Sequence, residues 1–387
     1  MSVAQVTQPR LLQVGGGAVA DVASVLRRIS GTRALLVTDR YMVDSGTIER
    51  VTKPLDAGAI SYDIFADTVP DPTTDVVDAG VARLKSGDYD CLVALGGGSP
   101  IDTAKAMAVL AANGGQMRDY KVPNDIPKMG LPLVAIPTTA GTGAEVTRFT
   151  VITDVERDEK MLIAGLACVP TAALIDYELT LTMPRRLTAD TGIDSLTHAI
   201  EAYVSRRANP LSDMYARQAM ALITANIRTA CAEPGNHDAR RAMMLGATLG
   251  GLAFTNASVA LVHGMSRPIG AFFHVPHGLS NAMLLPVVTA FSAGAALSRY
   301  ADCARAMGVV GAEVGDQAAV AGLLDELRRL NEELEVPTPR SYGIEEERWV
   351  TLLPTMAQQA LASGSPGNNP RVPTAEEIIG LYQQAWS

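Results

Sequence analysis

The sequence has few cysteines and no long hydrophobic run. Its four cysteines (Cys91, Cys168, Cys231 and Cys303) include no CxxC pair, so neither a cysteine zinc site nor a redox dithiol is encoded. No apolar run approaches the roughly 18 to 20 residues of a membrane helix. The first residues lack a cationic stretch that leads into an apolar core, so we do not expect a secretory signal. A cytoplasmic location with reduced cysteines is the expectation.

Basic clusters are also missing. The 41 acidic and 32 basic residues give a net charge of −9, without a run of Lys or Arg, which argues against nucleic acids and anionic membranes as partners. Hydrophobic residues make up 48% and charged residues 19% of the chain, a composition that excludes disorder as the main state. At about 150 residues per domain, 387 residues predict two domains.

The first half of the chain alternates short apolar runs with amphipathic stretches. The runs at 34–38, 91–95 and 133–136 are continuous, as is typical of parallel strands buried on both faces. Between them, helical patterns cover 18–28, 74–86 and 101–112, and further β-rich segments follow within 150–176. This alternation predicts an α/β domain over residues 1–185.

Strand signals stop after Pro184. The following segments carry helical periodicity: 187–205, 212–230, 238–255, 258–270, 295–306, 317–332 and 375–385. We therefore predict an all-α domain over residues 186–387, which would hold the metal described below.

A glycine-rich turn, LGGGSPID, runs from Leu95 to Asp102 directly after an apolar strand. Glycines allow the backbone to approach a ligand closely, and the following helix would point its N-terminus at a pyrophosphate. We expect Ser99 to cap this helix and Pro100 to be its first residue. The fingerprint G-x-G-x-x-G is not satisfied, because Ile101 replaces its last glycine, so a plain strand–turn–helix connection remains an alternative.

A second polar loop, PTTAGTGAE, follows the strand at 133–136 and offers the hydroxyls of Thr138, Thr139 and Thr142. Two such loops at neighbouring strand ends favour a dinucleotide more than either alone. Asp39 ends the strand at 34–38, where a carboxylate can bind ribose hydroxyls and favour NAD over NADP. A solvated turn residue is the alternative interpretation of Asp39.

Asp194 and His198 lie four residues apart in a helical pattern, so both project from one helix face. Further along, His263 and His277 flank a short helix and a turn. One carboxylate and three imidazoles form a ligand set that suits Fe²⁺ or Zn²⁺. A single histidine on an apolar helix is more often a core residue, and it is the clustering that favours a metal.

Four motifs together carry a resemblance: GGGSPID, PTTAGTGAE, GIDSLTHAIEAY and GLAFTNASVALVHG followed by PHG. In this order and spacing they resemble the iron-dependent (group III) alcohol dehydrogenase family over nearly the whole chain. The resemblance implies Fe²⁺ held by Asp194, His198, His263 and His277, with Zn²⁺ possible in isolated protein, and at least a homodimer. It also implies that the domain of residues 1–185 is a Rossmann-like dinucleotide-binding domain. In it, NAD(P) would contact Asp39, Gly97, Gly98, Ser99, Asp102, Thr138, Thr139, Thr142 and Lys160.

Two positions depart from the family pattern. Many members carry a histidine four residues after the ligand that corresponds to His263, whereas this chain has Arg267, which stays cationic and cannot shuttle protons. His274 occupies a position where no histidine is expected. It is either a surface residue, or a substitute proton relay or anchor for a polar substrate.

The predicted function is reversible oxidation of a small primary alcohol, or reduction of its aldehyde or hydroxyaldehyde, with NAD as hydride carrier. A metal Lewis acid would polarise the substrate oxygen. Three alternatives stay open: a glycerol or hydroxy-acid dehydrogenase of the same fold, a lyase-like sugar-phosphate cyclase, and a catalytically silent nucleotide-binding protein.

Overall fold

The computed structural model describes residues 3–157 and 159–387. The chain divides into two compact units, one of Val6–Thr182 and one that contains Met183–Ser387. The first unit is α/β with a parallel sheet and the second is helical, which confirms the predicted fold class. The domain boundary predicted after residue 185 stays a prediction.

The α/β unit contains a parallel sheet and a separate antiparallel hairpin. Within the described residues, the six-stranded sheet has the order β1-β8-β5-β4-β2-β3, and β6 pairs with β7. The strands are β1 Leu11–Val14, β2 Arg33–Val37, β3 Ser61–Phe65, β4 Cys91–Gly96, β5 Leu133–Pro137, β6 Phe149–Asp154, β7 Glu159–Ala164 and β8 Ala172–Ile175. The helices are α1 Val22–Arg28, α2 Arg40–Asp44, α3 Glu49–Ala57, α4 Thr74–Lys85 and α5 Gly98–Asn113.

The central strands are apolar on both faces because helices cover both sides of the sheet. In β4, Leu92 and Ala94 face one hydrophobic cluster, whereas Val93 and Leu95 face the other. This double burial explains the continuous apolar runs in the sequence.

The strand order reverses at β2, which has β3 on one side and β4 on the other. In open α/β sheets, ligands bind outside the carboxyl ends of the strands at such a reversal. Asp39 follows β2 and the GGGS turn follows β4, so two of the predicted nucleotide-binding segments begin at this position.

The predicted start of α5 was wrong. The helix begins at Gly98, with Gly97 as its N-cap, so Ser99 and Pro100 both lie in its first turn. Proline is tolerated there because the first N–H groups of a helix have no acceptor within the helix.

The second unit is built from packed helices. They are α6 Arg185–Val204, α7 Pro210–Ala232, α8 His237–Asn256, α9 Leu261–Phe273, α10 His277–Ala293, α11 Leu297–Ala306, α12 Asp316–Glu333, α13 Pro339–Tyr342, α14 Glu346–Ala362 and α15 Ala375–Ala385. The sequence patterns did not predict α10, α13 or α14. Helix α10 lacks an amphipathic stripe because it is buried around most of its circumference.

All four cysteines are free thiols and buried, with two in each unit. Burial raises the pKa of the Cys168 thiol to about 12. Among the described residues no single helix is long and apolar enough to cross a membrane. The bent pair α8 and α9 meets that criterion jointly, by length and composition only.

Candidate active site

Helix α6 carries the first two residues of the predicted metal site. Asp194 and His198 are one turn apart and almost fully buried. The Nε2 atom of His198 lies 3.8 Å from Oδ1 of Asp194. The i, i+4 spacing on a helix therefore brings a carboxylate and an imidazole to the same point.

Two more imidazoles reach this point from the ends of neighbouring helices. His263 is in the first turn of α9 and His277 is the first residue of α10. Their Nε2 atoms lie 3.5 Å and 3.8 Å from Oδ1 of Asp194. The donor atoms of all four residues lie within 4.8 Å of one another. The structure thus brings the four predicted ligands together. The side chain of His277 is 42% exposed, so solvent can reach the cluster from that side.

The spacing of these atoms suits a small cation. Two ligands that each lie roughly 2.0–2.2 Å from one tetrahedral ion are about 3.3–3.6 Å apart, close to the 3.5–3.8 Å between Oδ1 of Asp194 and the three Nε2 atoms. Metal–nitrogen and metal–oxygen bonds at zinc sites measure roughly 2.0–2.2 Å. The donor set and its dimensions therefore fit a divalent metal ion.

Buried carboxylates give the cluster a negative electrostatic potential. Burial lowers the pKa of His263, but the charge of Glu201 and hydrogen bonds to Asp194 and Glu201 outweigh it and raise that pKa to about 9. Burial alone would raise the pKa of Asp194, whereas the surrounding imidazoles hold it well below its usual range. The raised pKa of His263 shows that its surroundings favour a positive charge, and the lowered pKa of Asp194 keeps its carboxylate negative, as a ligand of a cation must be.

Two further side chains contact the ligands. The Nδ2 atom of buried Asn281 lies 2.7 Å from Oδ1 of Asp194, 3.1 Å from Nε2 of His263 and 3.2 Å from Nε2 of His277. The ring of Phe254 stacks on His198 with centroids 4.4 Å apart. The amide group of Asn281 thus lies among the donor atoms that a metal would bind, and the aromatic ring shields one side of the cluster.

The two glycine loops meet in the α/β unit. The sheet places β4 beside β5, so the turn after β4 and the threonine-rich loop after β5 lie at adjacent carboxyl ends. A Cβ added to Gly97 would lie 3.4 Å from Thr139, and one added to Gly98 would lie 3.0 Å from Thr142. A side chain at Gly98 would thus press against Thr142, whereas one at Gly97 would only touch Thr139.

Thr138 offers a group suited to a ligand. Its backbone N–H donates to the carbonyl of Gly96 at 2.9 Å, which continues the pairing of β5 with β4. Its side-chain hydroxyl is buried and has no hydrogen-bond partner in residues 3–157 and 159–387. Because buried hydroxyls are normally paired, this atom fits a hydrogen bond to a nucleotide.

The remaining predicted nucleotide contacts have protein partners. Asp39 caps α2 and accepts from the N–H of Met42 at 2.9 Å. Asp102 accepts from the N–H of Val151 at 3.0 Å, and burial raises its pKa to about 6 although Lys105 opposes the shift. Lys160 pairs with Asp71 at 2.8 Å. Their contacts with a nucleotide stay predictions.

The whole chain matches known sequences and structures. Residues 9–177 match the profile of iron-containing alcohol dehydrogenases, and residues 188–386 match the C-terminal profile of the Fe-containing alcohol dehydrogenase family. The chain belongs to the iron-containing alcohol dehydrogenase family. Both the predicted family and the predicted type of reaction are confirmed.

Similar proteins cover nearly all of this alcohol dehydrogenase. Lactaldehyde reductase of Escherichia coli (strain K12) is 38% identical over 375 residues, which are 96% of this chain and 97% of that enzyme. An NAD-dependent methanol dehydrogenase of Bacillus methanolicus is 37% identical, with 96% and 97% covered. The crystal structure of a 1,3-propanediol oxidoreductase superposes with a TM-score of 0.96 at 34% identity, with 99% and 100% covered. The chain is thus a metal-dependent, NAD(P)-linked oxidoreductase acting on CH–OH groups.

The two departures from the family pattern lie on α9 and at its end. The half-buried Arg267 donates to the Ser365 hydroxyl at 3.1 Å, and burial lowers its pKa against the opposing charge of Glu201. His274 ends α9 in the left-handed conformation, with φ of 54°, and its side chain is exposed. That position favours the interpretation of His274 as a surface residue of this dehydrogenase.

Glu201 and Asn281 were missed by the sequence reasoning. Glu201 follows His198 by three residues, and Asn281 follows His277 by four. Residues three and four apart share a helix face, so this spacing was the available signal.

Proposed function

We propose that this enzyme interconverts small primary alcohols and their aldehydes or hydroxyaldehydes with NAD, and that Asp194, His198, His263 and His277 hold Fe²⁺. The observation that carries the proposal is the convergence of one carboxylate and three imidazoles within 4.8 Å. The names of its relatives, lactaldehyde reductase and methanol dehydrogenase, support a small substrate.

In this mechanism the protein supplies position and shielding. A divalent metal, when bound, acts as a Lewis acid on the substrate oxygen. Asp194 and His198 are fixed by α6, and Asn281 holds the carboxylate of Asp194 through a hydrogen bond of 2.7 Å. Phe254 excludes water from one side of His198, while the exposed side of His277 leaves room for a substrate.

The nucleotide site is proposed at the carboxyl ends of β2, β4 and β5. NAD, when bound, carries the hydride that leaves or reaches the substrate carbon. The N-terminus of α5 offers free N–H groups for the pyrophosphate. The proposed contacts are Asp39, Gly97, Gly98, Ser99, Asp102, Thr138, Thr139, Thr142 and Lys160. Cysteine chemistry has no part in this proposal, because all four thiols are buried.

Arg267 favours a second candidate, a hydroxy-acid or otherwise anionic substrate. Its guanidinium forms no ion pair with a carboxylate in the part of the chain that the structure describes, and its hydrogen-bond partner, Ser365, is neutral. A half-buried cation of this kind gains from pairing with an anion. An aldehyde panel with and without a carboxylate on the distal carbon separates the two candidates.

The test is to strip the protein with a chelator and reload one equivalent of Fe²⁺ or Zn²⁺ under nitrogen. We expect Fe²⁺ to restore NADH-dependent aldehyde reduction more fully. Zinc prefers four ligands, which the protein already provides, whereas iron accepts additional ligands such as a substrate oxygen. Equal or higher activity with zinc would contradict the iron proposal, and no activity with any metal would contradict the dehydrogenase proposal.

A homodimer or larger homo-oligomer and a cytoplasmic location also belong to the proposal, on the basis of the family resemblance. Light scattering of the purified protein tests the first. Fractionation of the producing cells tests the second.

A further inference from the structure

Glu201 lies behind the proposed metal site rather than in it. It is 3% exposed and belongs to α6, the helix that also carries Asp194 and His198. Its Oε2 atom lies 2.6 Å from Nδ1 of His263, and its Oε1 atom accepts from the backbone N–H of Val262 at 2.6 Å. Both carboxylate oxygens are thus engaged with the first turn of α9.

These contacts determine which nitrogen of His263 carries the proton. A carboxylate accepts hydrogen bonds and donates none, so Nδ1 of His263 must be the donor. The lone pair of the neutral ring is then on Nε2, the atom that lies 3.5 Å from Asp194. A metal-binding imidazole needs this arrangement, because only the unprotonated nitrogen can be a ligand.

We infer that Glu201 is a positioning residue that fixes the tautomer and the ring orientation of His263 for metal binding. This inference rests on the proposed function. Helix α6 then supplies two ligands directly and controls a third through Glu201.

The same carboxylate explains how α9 begins. The N-cap of α9, Ala260, has no side chain that can accept a hydrogen bond, and none caps the helix from that position. Glu201 provides the acceptor for the first turn from a neighbouring helix. Arg267, on the same helix as His263, contributes a favourable charge interaction with Glu201. The orientation of His263 and the start of its helix therefore depend on one side chain.

The variant that tests the inference is Glu201→Gln. The N–H of Val262 still requires an acceptor, so the glutamine oxygen remains there and its NH₂ group faces Nδ1 of His263. That nitrogen must then accept, which favours the tautomer with the proton on Nε2 and so weakens metal binding. Although glutamine has nearly the same shape as glutamate, we expect metal affinity to fall by about 10- to 100-fold, as for other partners of metal-bound histidines.

Two other variants complete the comparison. Glu201→Asp keeps a carboxylate and should retain more affinity than Glu201→Gln. Glu326→Gln is the matched control, because Glu326 is a 4% exposed carboxylate of the same unit that pairs with Arg228 and Arg329. The Glu326→Gln variant should bind metal with the same affinity as the unaltered protein.

The measurement is titration of the stripped full-length protein with Co²⁺ against a competing chelator, with the visible absorption of bound Co²⁺ as a second readout. Unchanged affinity in Glu201→Gln, or equal losses in the Gln and Asp variants, would overturn the inference. If Glu201→Gln does not fold, as judged by circular dichroism, Glu201→Asp is compared with Glu201→Ala, and equal affinities overturn it in the same way. Failure of the unaltered protein to bind one Co²⁺ per chain would instead overturn the metal site itself.

Discussion

The two candidate sites of this enzyme are built in different ways. In the α/β unit, the proposed nucleotide contacts are glycines, hydroxyls, helix N–H groups and three charged side chains, Asp39, Asp102 and Lys160. In the helical unit, the proposed metal contacts are four side chains from α6, α9 and α10, held by Asn281 and Glu201. A site with many contacts distributes its binding energy, whereas a four-ligand site depends on each side chain. The two should therefore respond very differently to single substitutions.

The largest effect is expected at His277. Replacing it with Ala removes one of four metal ligands. Losing several kcal/mol of the stabilisation that the metal gives to the transition state corresponds to about a thousandfold slower turnover. Because His277 is half-exposed at the start of α10, the fold should persist. Metal content, turnover and NADH binding are measured, and NADH binding should stay within about twofold, since a side-chain deletion in one unit leaves the glycine loops unchanged.

The matched control for that experiment is His237→Ala. His237 is an exposed histidine and the first residue of its own helix, α8, so it reproduces the local setting of His277. Full metal content and activity in His277→Ala, or an equal loss in His237→Ala, would contradict the assignment.

A smaller effect is expected at Asp39, whose carboxylate would repel the 2′-phosphate of NADP⁺. Asp39→Asn keeps an acceptor for the N–H of Met42 and so preserves the cap of α2. Removing the like charge should shift the NADP⁺/NAD⁺ selectivity ratio by about tenfold, or about 1.4 kcal/mol.

Asp39→Gly removes both the charge and the cap. It should give a similar shift in selectivity with a lower melting temperature. An unchanged ratio of kcat/KM values in both variants would place Asp39 away from the ribose.

The smallest effect is expected at His274. Its left-handed backbone suits glycine, so His274→Gly should leave turnover within about twofold of the unaltered enzyme, far from the roughly 100-fold or larger loss expected for a proton relay. Kinetics at several pH values provide the measurement. A hundredfold loss at neutral pH would assign the relay to His274 after all.

Patterns that depend on neighbouring residues were predictable from the sequence. The buried strands β4 and β5, the two glycine loops and the convergence of Asp194 with His198 all follow from short-range spacing. Helix α10 was missed because burial on most sides removes the periodic signal. The contact of Glu201 with His263 spans 62 residues, so it depends on how α6 packs against α9. The packing of one helix against another cannot be predicted from the spacing of residues within either helix.

The buried cysteines offer a way to observe the two units separately. Cys91 and Cys168 lie in the α/β unit, Cys231 and Cys303 in the helical unit, and each is shielded from solvent. A thiol reagent can reach them only when the surrounding structure opens, so the labelling rate at each cysteine reports the free energy of that opening. The native sequence thus contains two built-in reporters of local unfolding in each unit. Comparing their rates with and without NADH or metal would show which part of the enzyme each ligand stabilises.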